Sequence, residues 1–296
     1  MSKSAFKTFS ICLLVIAILG LPGCSGGNKK PVEQKLKGTS QQKPKTPKEM
    51  KSILTDLEQI IAGVEQKIIM TRTSNLQKNT RMSGQNQQGE QGGQEGQGQS
   101  QQGQQQQSGG QASAQNQMNN WQKEQTALKN LHRSWNSLEP EAVKAGLGIP
   151  ARDAFEQSLE KLTLAISRQQ KEESLEAATE LYGTYADLVR IFDGSIPPEY
   201  FQTKYEVMTA VIEAGKMNWT AAEEHIPLMQ KYWGYLKSQA QGQDQKLLNR
   251  SEYSIEDLAE AIMSHEIDPV LIKAEIVMSN LQDLQKGFSA QGPGSQ

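Results

Sequence analysis

The chain reads as an all-α protein of stacked antiparallel helical hairpins, or equally an elongated helical bundle, interrupted by a disordered Gln/Gly-rich insertion. Three observations lead there. Apolar residues recur at three- and four-residue spacing from Trp121 to Leu284, no segment alternates as a strand requires, and residues 83–118 hold almost nothing to bury. Hydrophobic residues make up 36% of the 296, below the ~45–50% of globular chains, and the deficit is concentrated in that tract.

Taken in order, residues 1–23 have the form of a secretory signal. Lys3 and Lys7 give a basic start and Ile11 to Leu19 form an apolar block. The block is too short for a spanning helix of ~20 residues, and Pro22-Gly23 end it. Leu21-Pro22-Gly23-Cys24 then resembles the lipobox of bacterial lipoproteins, with Pro22 in place of the usual Ala, Ser or Thr. The resemblance implies that Cys24 becomes the mature N-terminus and carries a diacylglyceryl thioether, an anchor of two or three acyl chains in membrane lipid. It implies a location on the extracytoplasmic face of the cell membrane. Cys12, the other cysteine, would leave with the signal, so the mature chain would hold no disulfide.

Residues 24–45 form a basic tether rich in Gly, Ser, Lys, Pro and Gln. From Cys24 to Met82 there are 12 Lys/Arg against 5 Asp/Glu, whereas residues 83–296 carry 17 against 28. Lys29, Lys30, Lys35, Lys37, Lys43, Lys45, Lys48 and Lys51 suit anionic headgroups or a solvated linker alike. The acidic remainder argues against nucleic acid.

A helix is expected over 46–82, with Thr46 as cap, Pro47 at its first position and Glu49 completing a capping box. Ile53, Leu57, Ile60, Ile61, Val64 and Ile68 make its stripe. The insertion over 83–118 spans on the order of 30 Å as a flexible chain and joins this helix to the next as an oversized hairpin loop.

An all-helical domain follows over 119–288, with a short tail at 289–296. Trp121, Leu128, Leu131, Trp135 and Leu138 line a helix that Pro140 is expected to interrupt, and Pro150 opens the next. Gly194 to Pro198 reads as a stop and restart. Thr220 and Ser254 are expected N-caps, Pro227 should kink its helix, and Asp268-Pro269 opens the last one. LAISRQQKEESLEAA (164–178), AVIEAGKMNWTAAEE (210–224) and EAIMSHEIDPVLIKA (260–274) form a weak repeat. Its alignment matches Ile166, Ile212 and Ile262, and likewise Leu175, Ala221 and Leu271, at spacings of 46 and 50.

Sites are few. His132, His225 and His265 form no HExxH or ExxH pattern, so no metal site is expected. GxSxG is absent, Ser158-Leu-Glu-Lys161 lies mid-helix without companion motifs, and no phosphate loop follows a strand. No catalytic residue, enzyme activity or cofactor is therefore expected. The strongest binding signal is aromatic: Tyr200, Tyr205, Trp219, Tyr232, Trp233 and Tyr235 crowd into one stretch and form the candidate ligand groove. The function expected is non-enzymatic binding or scaffolding of an envelope protein or small ligand. The alternatives are a solute- or metal-binding partner of a transporter and, more distantly, an envelope hydrolase.

Overall fold

Helices account for nearly all of residues 43–85, 120–240 and 242–291, which the computed structural model describes. Cys24, the tether up to residue 42 and the insertion from 86 to 119 lie outside the described residues. In chain order the helices are α1 (Lys48–Gln85), α2 (Gln122–Lys144), α3 (Ile149–Ser167), α4 (Lys171–Ile191), α5 (Pro198–Gly215), α6 (Trp219–Glu224), α7 (Ile226–Gln239), α8 (Gln245–Met263) and α9 (Ile267–Gln291). None of them is long and apolar enough to cross a membrane.

Several expected boundaries move, each for a local reason. Thr46 does not cap α1; its hydroxyl donates to the Asp193 carbonyl at 2.9 Å, while the Asp193 amide donates to the Pro44 carbonyl at 2.8 Å. Residues 44–46 are thus strapped to the connection between α4 and α5. Pro140 stays inside α2, because the carbonyl it frees belongs to Asn136, which is exposed to water. Ser254 is buried within α8, its hydroxyl donating to Ser251, and the cap is Asp244, which accepts from the Lys246 amide at 2.9 Å. Thr220 is likewise inside α6, which starts without a side-chain cap. Pro227 acts as expected: α6 stops and α7 restarts at His225.

The hairpins repeat with a regular period. α3, α5 and α8 end at Ser167, Gly215 and Met263, and the following helices begin at Lys171, Trp219 and Ile267, which is 48 residues at every step. The turn residues Gln169, Met217 and His265 keep the same interval and all take a left-handed backbone, with φ of 57°, 61° and 56°. The spacings of 46 and 50 are therefore corrected to 48 and 48. Ile166, Ala214 and Ile262 share one buried position, and Ser174, Ala222 and Val270 another. Ile212 and Ala221 lie beside those positions, and Leu271 is exposed.

Packing defines a larger unit. α1 packs on α2 and α4, and α3 on α2 and α4; in the second half α5 packs on α6, α7 and α9, and α8 on α7 and α9. With α6 and α7 taken as one interrupted helix, the two halves repeat one four-helix packing pattern and join where α4 meets α5. Many buried positions correspond. Met50, Ile53, Leu57, Ile60 and Val64 match Tyr200, Thr203, Val207, Ala210 and Ala214, while Leu131, Trp135, Leu138 and Ala142 match Met229, Trp233, Leu236 and Ala240. Leu57 and Trp135 are 78 residues apart and Val207 and Trp233 only 26, so the first connection is 52 residues longer at the same packing. Loop length alone adds little cost.

Candidate functional site

The correspondence between the two units exposes one place where they differ in chemistry. In the first unit, α2 and α3 flank a cleft of about 400 Å³ lined by His132, Trp135, Asn136, Glu139, Glu156 and Thr163, among others. Trp135 is its floor: the indole is 5% exposed and packs on Phe155 with ring centroids 4.2 Å apart. These residues sit at i, i+3, i+4 and i+7 of α2, so one helix face presents His132, Trp135, Asn136 and Glu139 together.

His132 has a defined tautomer. The Thr163 hydroxyl donates to the Leu159 carbonyl at 2.7 Å, which leaves its oxygen to accept from His132 Nε2–H at 2.8 Å. Burial holds the imidazole below its ordinary pKa, so at neutral pH it is uncharged with a lone pair on Nδ1. Arg152 lies in the field of Glu156 and Glu139, but its guanidinium bonds Asp153, at 2.9 and 3.2 Å.

The same positions in the second unit are closed. Glu139 corresponds to Lys237 and Glu156 to Glu252, and these two bond at 2.6 Å across α7 and α8. His132 corresponds to Gln230 and Thr163 to Ala259. One unit therefore joins its outer helices by an ion pair, whereas the other presents two carboxylates, a third at Glu160, and a neutral imidazole around an aromatic floor. Such an arrangement is suited to a cationic group, which the carboxylates neutralise and an aromatic ring attracts.

A second cleft of about 610 Å³ lies over α1 and α2, lined by Lys48, Lys51, Asp56, Asn130 and Arg133. Its cations stand near the start of α1, where the basic tether enters.

The six aromatics of the candidate groove lie in the second unit, in different settings. Tyr200 is fully buried, its hydroxyl bonded to Gln285 Oε1 at 3.1 Å, and Trp233 is 4% exposed. Tyr205 presses on Gly183, where an added Cβ would meet its ring at 2.9 Å. Trp219 stacks on His265 at 5.1 Å, Tyr232 lies under Lys231 at 5.4 Å, and Tyr235 is 52% exposed. Four of them thus serve core or helix-to-helix packing. His225 Nδ1 and His265 Nε2 each contact a carboxylate, Glu206 and Glu223, at 2.6 Å. Among the described residues no three His, Cys, Asp or Glu side chains gather as a metal site.

Comparison with protein-family profiles, with curated proteins and with solved structures gives no match for this chain.

Proposed function

We propose that the chain is a lipid-anchored extracytoplasmic protein, tethered through Cys24, that binds rather than catalyses, and that its first unit takes a cationic group of an envelope partner between α2 and α3. The observation that carries the binding reading is the replacement of the Lys237–Glu252 pair by Glu139 and Glu156 at matched positions. The two carboxylates line one cleft, and the Arg152 guanidinium near them is hydrogen-bonded to Asp153, so a further cation would add neutralisation there. The anchoring reading rests on Leu21 to Cys24, with Lys48, Lys51 and Arg133 as the headgroup-facing cations of the folded part.

Each part has its own test. Titration calorimetry of the full chain with a pentalysine peptide should show saturable, salt-sensitive binding. Glu139→Lys, which rebuilds the ion pair of the second unit, should abolish it; equal binding by that variant removes the cleft from the proposal. Mass analysis of the protein taken from membranes should find Cys24 acylated and the leader gone. An unmodified Cys24 would refute the anchor and leave the cleft untouched.

A further inference from the structure

We infer that the cleft between the start of α1 and the middle of α2 is a headgroup site, taking the phosphate of an anionic phospholipid from the membrane that holds Cys24. The inference rests on the anchor reading and is independent of the cation cleft. α1 lines it with Lys48, Lys51 and Thr55, at i, i+3 and i+7, and α2 with Asn130, Arg133 and Ser134, at i, i+3 and i+4. One face of each helix thus borders the same volume of about 610 Å³.

The charge of this lining is unbalanced. Among the described residues neither Lys51 nor Arg133 forms an ion pair, and Lys48 meets its neighbour Glu49 only loosely, at 3.9 Å with 91% of its side chain exposed. The one carboxylate of the lining, Asp56, already accepts from Asn130, whose oxygen accepts from Arg133 Nη1 at 3.5 Å. Thr55 and Ser134 add hydroxyl donors. Donors arriving from two helices suit a tetrahedral phosphate, whose oxygens point several ways.

The second unit does not repeat this set. Lys51, Thr55, Asn130 and Ser134 are matched by Phe201, Tyr205, Leu228 and Tyr232. There α4 covers that side of α5, with the Tyr182 and Phe201 centroids 6.0 Å apart and the Tyr205 ring against Gly183. α1 is the first of the row α1, α4, α5 and α9, so its outer face is open, but openness alone asks only for polar side chains. Farther along, that face carries Gln59, Ala62 and Gln66, all exposed and uncharged. The cations gather instead at the end where the chain from Cys24 arrives, with Lys43 and Lys45 exposed just before them in sequence. The bonds of Pro44 and Thr46 to Asp193 fix that entry. Cys24 stands 19 residues before Lys43, and a flexible chain of that length spans about 25 Å. Lipid phosphates are thereby held at an effective concentration in the millimolar range. A phosphatidylglycerol headgroup brings its phosphate without a cation, whereas phosphatidylcholine brings one that Lys48, Lys51 and Arg133 repel.

The test uses the purified full chain with the photo-crosslinker p-benzoylphenylalanine in place of Gln59, one turn beyond Thr55, in phosphatidylcholine vesicles holding roughly one third phosphatidylglycerol. On illumination, the ratio of phosphatidylglycerol to phosphatidylcholine adducts at residue 59 should exceed the ratio of the two lipids by about tenfold. Lys51→Glu with Arg133→Glu should bring it down to the lipid ratio with the helical signal unchanged. Lys43→Glu with Lys45→Glu, an equal change of charge outside the cleft, should leave most of the excess. No excess at residue 59, an excess that survives the first pair, or equal loss with both pairs would overturn the inference. So would an excess abolished by about 1 mM inorganic phosphate, which would make free phosphate the occupant. Mass analysis of the same preparation reads Cys24 separately. A chain that keeps its apolar leader also reaches the vesicle, so an unmodified Cys24 refutes the anchor while the adducts judge the cleft.

Discussion

Replacing Lys67 by methionine should unfold this protein far more easily than replacing Lys67 and Glu124 together. Lys67 Nζ and Glu124 Oε1 lie 2.5 Å apart, with side chains only 8% and 3% exposed. The ammonium also faces the Trp121 ring at 5.3 Å. Gly63 makes the space, since a Cβ there would collide with Glu124 Oε1. Glu124 Oε2 already has no hydrogen-bond partner. Lys67→Met leaves that carboxylate buried and unpaired, which costs about 3–5 kcal/mol. For a domain of this size 1 kcal/mol moves Tm by about 2–4 °C, so a fall of roughly 6–20 °C is expected. In Lys67→Met/Glu124→Leu both charges are gone, and stability should return to within about 1 kcal/mol of the parent or exceed it. Urea denaturation followed by circular dichroism gives the coupling energy directly. A Lys67→Met cost under about 1 kcal/mol, or a double variant equal to the sum of the singles, would refute the argument that these charges are held dry.

The remaining predictions follow from neighbouring contacts. Gly183→Ala should cost about 1–3 kcal/mol, because the new Cβ meets the Tyr205 ring at 2.9 Å; Tyr205→Ala in the same chain should remove most of that penalty. Trp135→Ala should lower stability by about 3–5 kcal/mol, while Tyr235→Ala, on an exposed side chain, should change it by less than about 0.5 kcal/mol. Tyr200→Phe leaves Gln285 without its hydroxyl partner and should cost about 1 kcal/mol. His132 has a pKa lowered by burial from 6.5. The unfolded chain therefore takes up its proton first, and the stability tied to His132 is complete above pH ~6.5 and lost as the pH falls through that value toward the folded one. His132→Gln should flatten stability against pH in this window, and an unchanged slope would show that another group carries it.

Much of the architecture was legible in the residues. The stripes of α1 and α2 named core positions that the structure buries, Ile68 only in part, and Pro150, Pro198, Pro227 and Asp268-Pro269 marked boundaries that hold. What the pattern could not carry was register between hairpins. Aligning on Ile212 set the second turn two residues out of register, because the left-handed residue there is Met217, and a methionine gives no sign of positive φ. Ala214 and Ala222 are core members of the repeat, but alanine is a weak apolar signal beside Ile212. Thr220 and Ser254 looked like caps by composition alone; burial of Ser254 in α8 depends on α9, from which Asn280 Nδ2 reaches its hydroxyl at 3.0 Å. The cleft failed to stand out for a similar reason. Trp135 reads as one more core aromatic, and Glu139 and Glu156 as solvated charges, until Lys237 and Glu252 show what the matched positions do when the cleft is closed.

The repeated packing also explains where the two units differ. Each inner helix of the row α1, α4, α5 and α9 is buried on the side of its neighbour, so Leu181, Val277, Leu57 and Val207 answer to packing and change little in character. The outer pairs α2–α3 and α7–α8 touch less, which leaves their charged positions free to differ without cost to the core. Lys237–Glu252, at 36% and 31% side-chain exposure, contributes only about 1 kcal/mol or less in water. Having Glu139 and Glu156 there instead is a small loss to the first unit. Ends follow the same logic: Thr179, Tyr182 and Ala186 of α4, buried where it meets α5, become Glu275, Met278 and Gln282 where α9 closes the row. Polar side chains at two of those three positions suit a helix that ends the row, as terminal repeats of helical arrays are polar on their outer face.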